Sequence, residues 1–204
     1  MPTNITGTYE TFGNATPTGV GPGPWTLTST PSTFSGVFLN PDQTFTFAQL
    51  TSFSATFSSL SGGSGGGSPR LFVEIDTDNN RSTYNGAVQI LLGNSPSFAD
   101  SDAALNAYSN VNLIGNNDPG RYDLSQLGGS ATTDYAAALA LVGGIQVQGF
   151  DFVTDTFTPL ADRSLTLTSL NAVADIAAVP EPGSLALIGA ALGALGLSRR
   201  RRKS

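Results

Sequence analysis

The chain has 204 residues, 39% hydrophobic and 12% charged, which supplies enough apolar material for one core of ordinary size. It contains no histidine and no cysteine, which excludes His-dependent nucleophilic catalysis, disulfides and thiolate metal sites. The formal net charge is −6, although five of the nine basic residues lie in the C-terminal run 199–203. The remainder is therefore strongly acidic and repels phosphate backbones, and we expect no nucleic-acid partner.

Residues 1–24 are rich in Gly, Pro and Thr, and we expect this N-terminal segment to be loosely held. Residues 25–178 contain a series of short segments in which apolar and polar side chains alternate. This period of two predicts half-buried strands, because successive side chains of a strand point to opposite faces. It predicts an all-β fold, an antiparallel β-sandwich of jelly-roll type, with these inward-facing sets: Phe45 and Phe47; Phe53, Ala55 and Phe57; Leu71, Val73 and Ile75; Val88, Ile90 and Leu92; Ile145 and Val147; Leu165 and Leu167.

One short helix interrupts the strand pattern. Asp134 is a suitable N-cap for residues 135–142, and the pair Gly143–Gly144 ends the helical segment. A second, shorter helical turn is predicted over 101–108, and the Gly/Ser run 61–68 is predicted to be a flexible loop. The strands on either side of this loop are too few for two separate cores, so we expect one domain.

Five short motifs follow one another along the predicted sandwich: Gly67–Arg70, Asp76–Asp78, Leu113–Gly115, Arg121–Gln126 and Leu141–Gly144. As a series they resemble an uncharacterised β-sandwich domain of secreted bacterial proteins, over about residues 45–175. The resemblance implies the fold, and it implies no activity.

One loop has oxygen ligands at alternate positions. Asp76, Asp78 and Asn80 match the first three ligands of a DxDxN calcium loop. The match then stops, because Arg81 and Ala87 stand where an EF-hand has its Gly and its bidentate Glu. The alternative is a turn rich in Asp and Asn because these residues tolerate turn geometry. Calcium is thus the one candidate cofactor, and otherwise we expect none.

Two groups of side chains could act on a glycan. Trp25 follows a Gly/Pro-rich stretch and could stack on a sugar ring from an exposed loop, or it could pack in the core. The other rings of this kind are Tyr84, Tyr108, Tyr122 and Tyr135. The acids that could form the paired carboxylates of a glycosidase, or simply be solvated loop residues, are Glu74, Asp151, Asp155 and Asp162.

The C-terminus has three parts in a fixed order. The motif Pro180, Glu181 and Pro182 ends the folded body, since neither proline can continue a helix or a strand. Residues 184–197 are uncharged and apolar all round, which predicts a membrane-inserted helix. Its length of about 21 Å is shorter than a hydrocarbon core of about 30 Å. The cluster predicted to remain on the cytoplasmic side as a stop-transfer signal is Arg199, Arg200, Arg201, Arg202 and Lys203.

This order resembles the PEP-CTERM sorting signal, also catalogued as the ice-binding protein C-terminal domain, and we assign residues 179–204 to it. The resemblance implies an exported protein of a Gram-negative bacterium, anchored transiently in the inner membrane. It implies processing by an exosortase-type enzyme near Pro180, Glu181 and Pro182. It also implies a destination at the cell surface or in the extracellular matrix of bacteria that make exopolysaccharide and biofilm, which makes exopolysaccharide a candidate partner.

Residues 1–8 lack the basic and apolar regions of a secretory signal peptide, and we expect the true start of translation to lie upstream. We expect the body to act outside the cell as a non-enzymatic structural or binding module. The alternatives are a carbohydrate-binding module, stabilised by calcium, and more remotely a glycoside hydrolase.

Overall fold

The computed structural model describes residues 1–17, 23–61, 69–92, 107–109, 112–156 and 162–176. Within these ranges, twelve strands form two antiparallel sheets that pack face to face, which confirms the predicted all-β sandwich. The strands of sheet A are β1 (Pro2–Asn4), β3 (Thr16–Pro17), β4 (Trp25–Ser29), β6 (Leu50–Ser61), β9 (Ala107–Ser109) and β12 (Arg163–Asp175). Those of sheet B are β2 (Gly7–Gly13), β5 (Thr33–Pro41), β7 (Arg70–Asp76), β8 (Ala87–Leu91), β10 (Tyr122–Asp123) and β11 (Gln146–Thr156).

In each sheet a long strand near the end of the chain pairs with neighbours on both sides: β12 in sheet A and β11 in sheet B. Sheet A runs β3-β4-β12-β6-β9, with β1 also paired to β12, and sheet B runs β10-β8-β7-β11-β5-β2. Neighbours in space are therefore often distant in sequence. As a result β11 brings β5 and β7 together from its two sides, and β12 does the same for β4 and β6.

The core lies between the sheets and is formed by the apolar side chains that alternate along the strands. The ring centroids of Phe53 in β6 and Phe150 in β11 are 4.8 Å apart, and those of Phe57 and Phe152 are 5.5 Å apart. The predicted inward-facing sets are buried, apart from the partly buried Ile145. Burying these rings removes a large apolar area from water, which is the main favourable term that holds the two sheets together.

The N-terminal segment is more ordered than its composition predicts. Strand β2 pairs with β5 along its whole length, from Gly7 opposite Pro41 to Gly13 opposite Ser35. The shorter strands β1 and β3 pair with β12 and β4. The expectation of a loosely held segment over 1–24 is therefore wrong for residues 2–4, 7–13 and 16–17. Backbone hydrogen bonds hold these edge strands, and composition says little about them.

The predicted helix is present as α1 (Tyr135–Val142). The Asp134 side chain accepts a hydrogen bond from the backbone N–H of Ala137, at 2.9 Å, and so satisfies one of the first unpaired donors of the helix. Two 3₁₀ helices cover Phe47–Gln49 and Ser125–Leu127. In the predicted turn 101–108, residues 107–108 belong to strand β9, and the rest lies outside the described ranges.

The remaining predictions fall largely outside the described residues. The Gly/Ser loop is described only at its first residue, which ends β6, and the sorting motif, the apolar segment 184–197 and the basic cluster 199–203 are not described. Among the helices that the structure does describe, none has the length and apolar character needed to cross a membrane.

Candidate functional site

The outer face of sheet B, which points away from sheet A, carries a groove of about 790 Å³. We call it the sheet B groove. Strands β2, β5, β7 and β11 form its floor, and the loop 77–86 between β7 and β8 forms one wall. Five aromatic rings line it, and Phe34 and Tyr84 are the most exposed, at 53% and 57%. The five are Phe12, Phe34, Phe38, Phe72 and Tyr84.

Strand alternation places these rings on the outer face. In β7 the residues Leu71, Val73 and Ile75 point into the core, so Phe72 and Glu74 between them point outward. The same alternation turns Phe34 and Phe38 of β5 outward, while Ser35, Val37 and Leu39 are buried.

Two glycines allow rings to lie directly on the sheet. A Cβ at Gly36 would overlap the ring of Phe12, and a Cβ at Gly149 would overlap the ring of Phe38. Each ring therefore covers backbone that a side chain would otherwise shield, a pairing that is typical of strand glycines next to aromatic residues. The consequence is a floor in which aromatic rings cover the backbone at these two glycines.

A β-bulge directs one amide into the groove. The register between β11 and β7 shifts between Val147 and Gly149, which leaves Gln148 as the extra residue. Its side-chain Nε2 donates to the carbonyl of Arg81 at 2.6 Å. The Arg81 guanidinium in turn donates to the carbonyls of Pro41, at 2.9 Å, and of Gln148, at 3.2 Å. These contacts fix the loop 77–86 against the floor.

Two carboxyl groups meet on the floor. Glu74 of β7 and Asp151 of β11 point outward from neighbouring strands, and their side chains are within hydrogen-bonding distance. Burial raises the pKa of both, and the Glu74 charge adds to the effect at Asp151, whose pKa rises to about 8. The pair therefore shares a proton near neutral pH, because ionising both of two adjacent carboxyl groups is energetically unfavourable.

Tyr84 on the loop wall stands close to this pair. Its hydroxyl donates to Oε1 of Gln126, which also accepts the backbone N–H of Ala87 at 3.1 Å. Burial and the negative charges of Glu74 and Asp151 raise the pKa of Tyr84 to about 12. The hydroxyl therefore stays protonated under physiological conditions and remains a hydrogen-bond donor and acceptor.

Of the candidate glycosidase acids, the structure brings only Glu74 and Asp151 together. Asp155 instead forms an ion pair with Arg70, and Asp162 is exposed. Glu74 and Asp151 are hydrogen-bond partners of each other, whereas the two carboxyl groups of a glycosidase stand about 5 Å or more apart.

The rings expected to stack on sugars are mostly elsewhere. Trp25 is 2% exposed and packs at 5.2 Å from the ring of Tyr9, so the expectation of an exposed stacking Trp25 is wrong. It begins β4, where Trp25, Leu27 and Ser29 all point inward. Tyr122 is buried, and Tyr135 packs against Phe47 at 5.9 Å. Tyr84 is in the groove, and Tyr108 is in β9, its side chain outside the described part of the chain.

The sequence reasoning missed four of the five groove rings: Phe12, Phe34, Phe38 and Phe72. A signal for one of them was present, since the strand that turns Leu71 and Val73 inward must turn Phe72 outward beside Glu74.

The candidate calcium residues lie together at the end of β7. The backbone N–H of Asn80 donates to Oδ1 of Asp76 and to Oδ1 of Asp78, each at 2.9 Å. Asn85 closes the loop, because its Oδ1 accepts the N–H of Thr77 at 2.9 Å and its Nδ2 donates to Oδ2 of Asp78 at 3.2 Å. Across the described ranges, no three His, Cys, Asp or Glu side chains gather closely enough to hold a metal by themselves.

The comparisons with known proteins concern the C-terminus. A family model described as the PEP-CTERM protein-sorting motif matches residues 178–203. The motif implies an exported protein that an exosortase-type enzyme recognises and processes at the membrane. Nothing in this match supports the ice-binding family name. No curated protein and no solved structure matches the chain. For the body, the chemistry of the sheet B groove is what points to a function.

Proposed function

We propose that the body of this exported protein is a carbohydrate-binding module that holds a polysaccharide chain in the sheet B groove. The observation that carries the proposal is a floor of aromatic rings beside hydrogen-bonding groups in one open groove. Aromatic faces stack on the C–H faces of sugar rings, while carboxyl, amide and hydroxyl groups bind the sugar hydroxyls.

The shape of the groove supports an extended ligand. It runs across four strands, with Phe34 and Tyr84 exposed. The groups available to sugar hydroxyls include the Glu74 and Asp151 pair, which can donate and accept because it shares a proton, and the hydroxyl of Tyr84. Export by the sorting motif would place such a module at the cell surface or in the extracellular matrix, where exopolysaccharide is the polymer within reach.

The module acts without catalysis in this proposal. Glu74 and Asp151 are hydrogen-bond partners of each other, whereas the two carboxyl groups of a glycosidase act separately on the substrate from about 5 Å or more apart. We therefore expect binding of polysaccharide with no release of new reducing ends.

The test is affinity electrophoresis of the purified body against a panel of soluble polysaccharides, followed by calorimetry on those that slow its migration. Phe34→Ala and Tyr84→Ala each remove an exposed ring from the groove, and each should weaken binding about tenfold, equivalent to about 1.4 kcal/mol. Leu141→Ala is the matched control, because Leu141 is 43% exposed on α1 and lies outside the groove.

Three results would contradict the proposal. The first is a panel in which no polysaccharide retards the protein. The second is an equal loss of binding in Leu141→Ala, which would show that the assay senses general surface hydrophobicity. The third is turnover of a polysaccharide, lost in Asp151→Asn, which would make the groove an active site.

A further inference from the structure

The loop between β7 and β8 carries a second feature that the groove does not use. Asp76 is the last residue of β7, and Asp78 follows it in the loop. Both carboxylates approach the same backbone N–H, that of Asn80, at 2.9 Å. The two carboxylates thus converge on one backbone N–H, and the further donor at the site is the neutral Nδ2 of Asn85, which donates to Oδ2 of Asp78 at 3.2 Å.

A second observation concerns burial. Asp76 is 2% exposed, and its Oδ2 is buried without a hydrogen-bond partner among the residues that the structure describes. Because the same carboxylate uses Oδ1 to accept the Asn80 N–H, it is turned into the loop. A buried carboxylate oxygen that lacks a donor is costly, and a cation is the partner that would remove this cost. The guanidinium of nearby Arg81 donates to the carbonyls of Pro41 and Gln148.

We infer that the loop 76–85 is a calcium site in which the carboxylates of Asp76 and Asp78 are the charged ligands. Calcium takes six to eight oxygen ligands. The loop carries the amide oxygens of Asn80 and Asn85, each of which accepts one backbone N–H and keeps a second lone pair, together with its own backbone carbonyls. Two carboxylates give a weak site, with a Kd of about 10⁻⁴–10⁻³ M, which is the range of extracellular modules. A site this weak fills only at the calcium concentrations found outside the cell, which agrees with export.

Calcium at this position would act on the wall of the groove. The same loop carries Arg81 and Tyr84, both of which line the groove. Binding of the ion would hold the loop in one conformation and reduce the entropy lost when a ligand docks. The calcium site itself does not depend on the proposed function, because it can be tested with no glycan present.

The experiment measures calcium binding in two independent ways on the whole body. Melting temperature is recorded with about 5 mM calcium, with the same concentration of magnesium, and with a chelator, and we expect calcium to raise Tm by about 2–4 °C. Terbium luminescence, excited through the tyrosines, should report the same site and should be displaced by calcium. Asp78→Asn is the main variant, since Asp78 is exposed and its loss should not prevent folding.

The expected result is a Tm rise with calcium in the wild type, absent in Asp78→Asn and retained in Asp175→Asn. Asp175 is the matched control because it is an exposed acid at the end of β12 in the other sheet. The inference is overturned if calcium leaves Tm unchanged, if magnesium acts equally, or if Asp78→Asn keeps the full terbium signal. A normal calcium response in a protein that binds no polysaccharide would refute the proposed function alone.

Discussion

Replacing Asp151 by Asn should change how the stability of the protein depends on pH. Burial and the Glu74 carboxylate raise the pKa of Asp151 to about 8 in the native state, whereas an Asp in an unfolded chain titrates near about 3.9. The native pair therefore keeps a proton that the unfolded chain loses between these two values. The stability that depends on this proton is fully present below about pH 4 and is lost as pH rises toward about 8.

The magnitude follows from the size of the shift. Each unit of pKa corresponds to about 1.4 kcal/mol, so the whole shift of about four units sets an upper limit of about 6 kcal/mol. Because Asp151 stands on the floor of an open groove, water screens its charge, and we expect a loss of about 1–2 kcal/mol between about pH 5 and about pH 8. In Asp151→Asn the amide can donate to Glu74, and this part of the pH dependence disappears.

Urea unfolding at several values between about pH 5 and about pH 8 measures the effect. The fluorescence of Trp25 is a suitable probe, because it is the single tryptophan and is 2% exposed in the native state. The free energy of unfolding of Asp151→Asn, relative to the wild type, should rise by about 1–2 kcal/mol over this range. Asp42→Asn, which removes an exposed carboxylate outside the groove, should show a nearly constant difference. A constant difference for Asp151→Asn as well would refute the shared proton.

Gly149→Ala places a Cβ against the ring of Phe38, so it should lower the free energy of unfolding by about 1–3 kcal/mol and weaken polysaccharide binding in calorimetry. Full binding by that variant would remove Phe38 from the proposed surface. Asp134→Ala deletes the helix cap and should cost about 1 kcal/mol in urea unfolding while binding stays unchanged; equal stability would contradict the role of the cap. Glu181→Ala should block processing at the sorting motif, so intact-mass measurements on cell-envelope fractions should find an unprocessed chain, and wild-type processing would exclude recognition through Glu181.

The fold could be predicted from the sequence because its main cause is local. The alternation of apolar and polar residues along segments such as 53–57 and 71–75 indicates which side chains enter a core, and these side chains are buried in the structure. The helix was equally accessible, because Asp134 and Gly143 mark its two ends. Of the two alternatives for Trp25, the exposed one rested on the preceding Gly/Pro stretch, and the buried one agrees with the alternation that Trp25 shares with Leu27.

The groove could be predicted only in part, because it depends on strand order. The outward direction of Phe72 and Glu74 follows from β7 alone, but their position beside Asp151 requires that β11 pair with β7. No local sequence pattern indicates that β11 pairs with β7, since the two strands are far apart in the chain. The contact of the Phe38 ring with Gly149 likewise exists only once β5 and β11 are neighbours. The shape of the groove depends on pairing between strands that are distant in the chain, and local residue patterns do not encode that pairing.

The place of β12 in sheet A has a consequence for the order of events during export. This strand joins β4 to β6, yet it is the last strand before the sorting motif, whose match begins three positions after Asp175. A chain that crosses the membrane in sequence order delivers β4 and β6 long before the strand that links them, and such distant pairings form slowly. Sheet A can therefore close only after the segment directly before the motif has crossed the membrane.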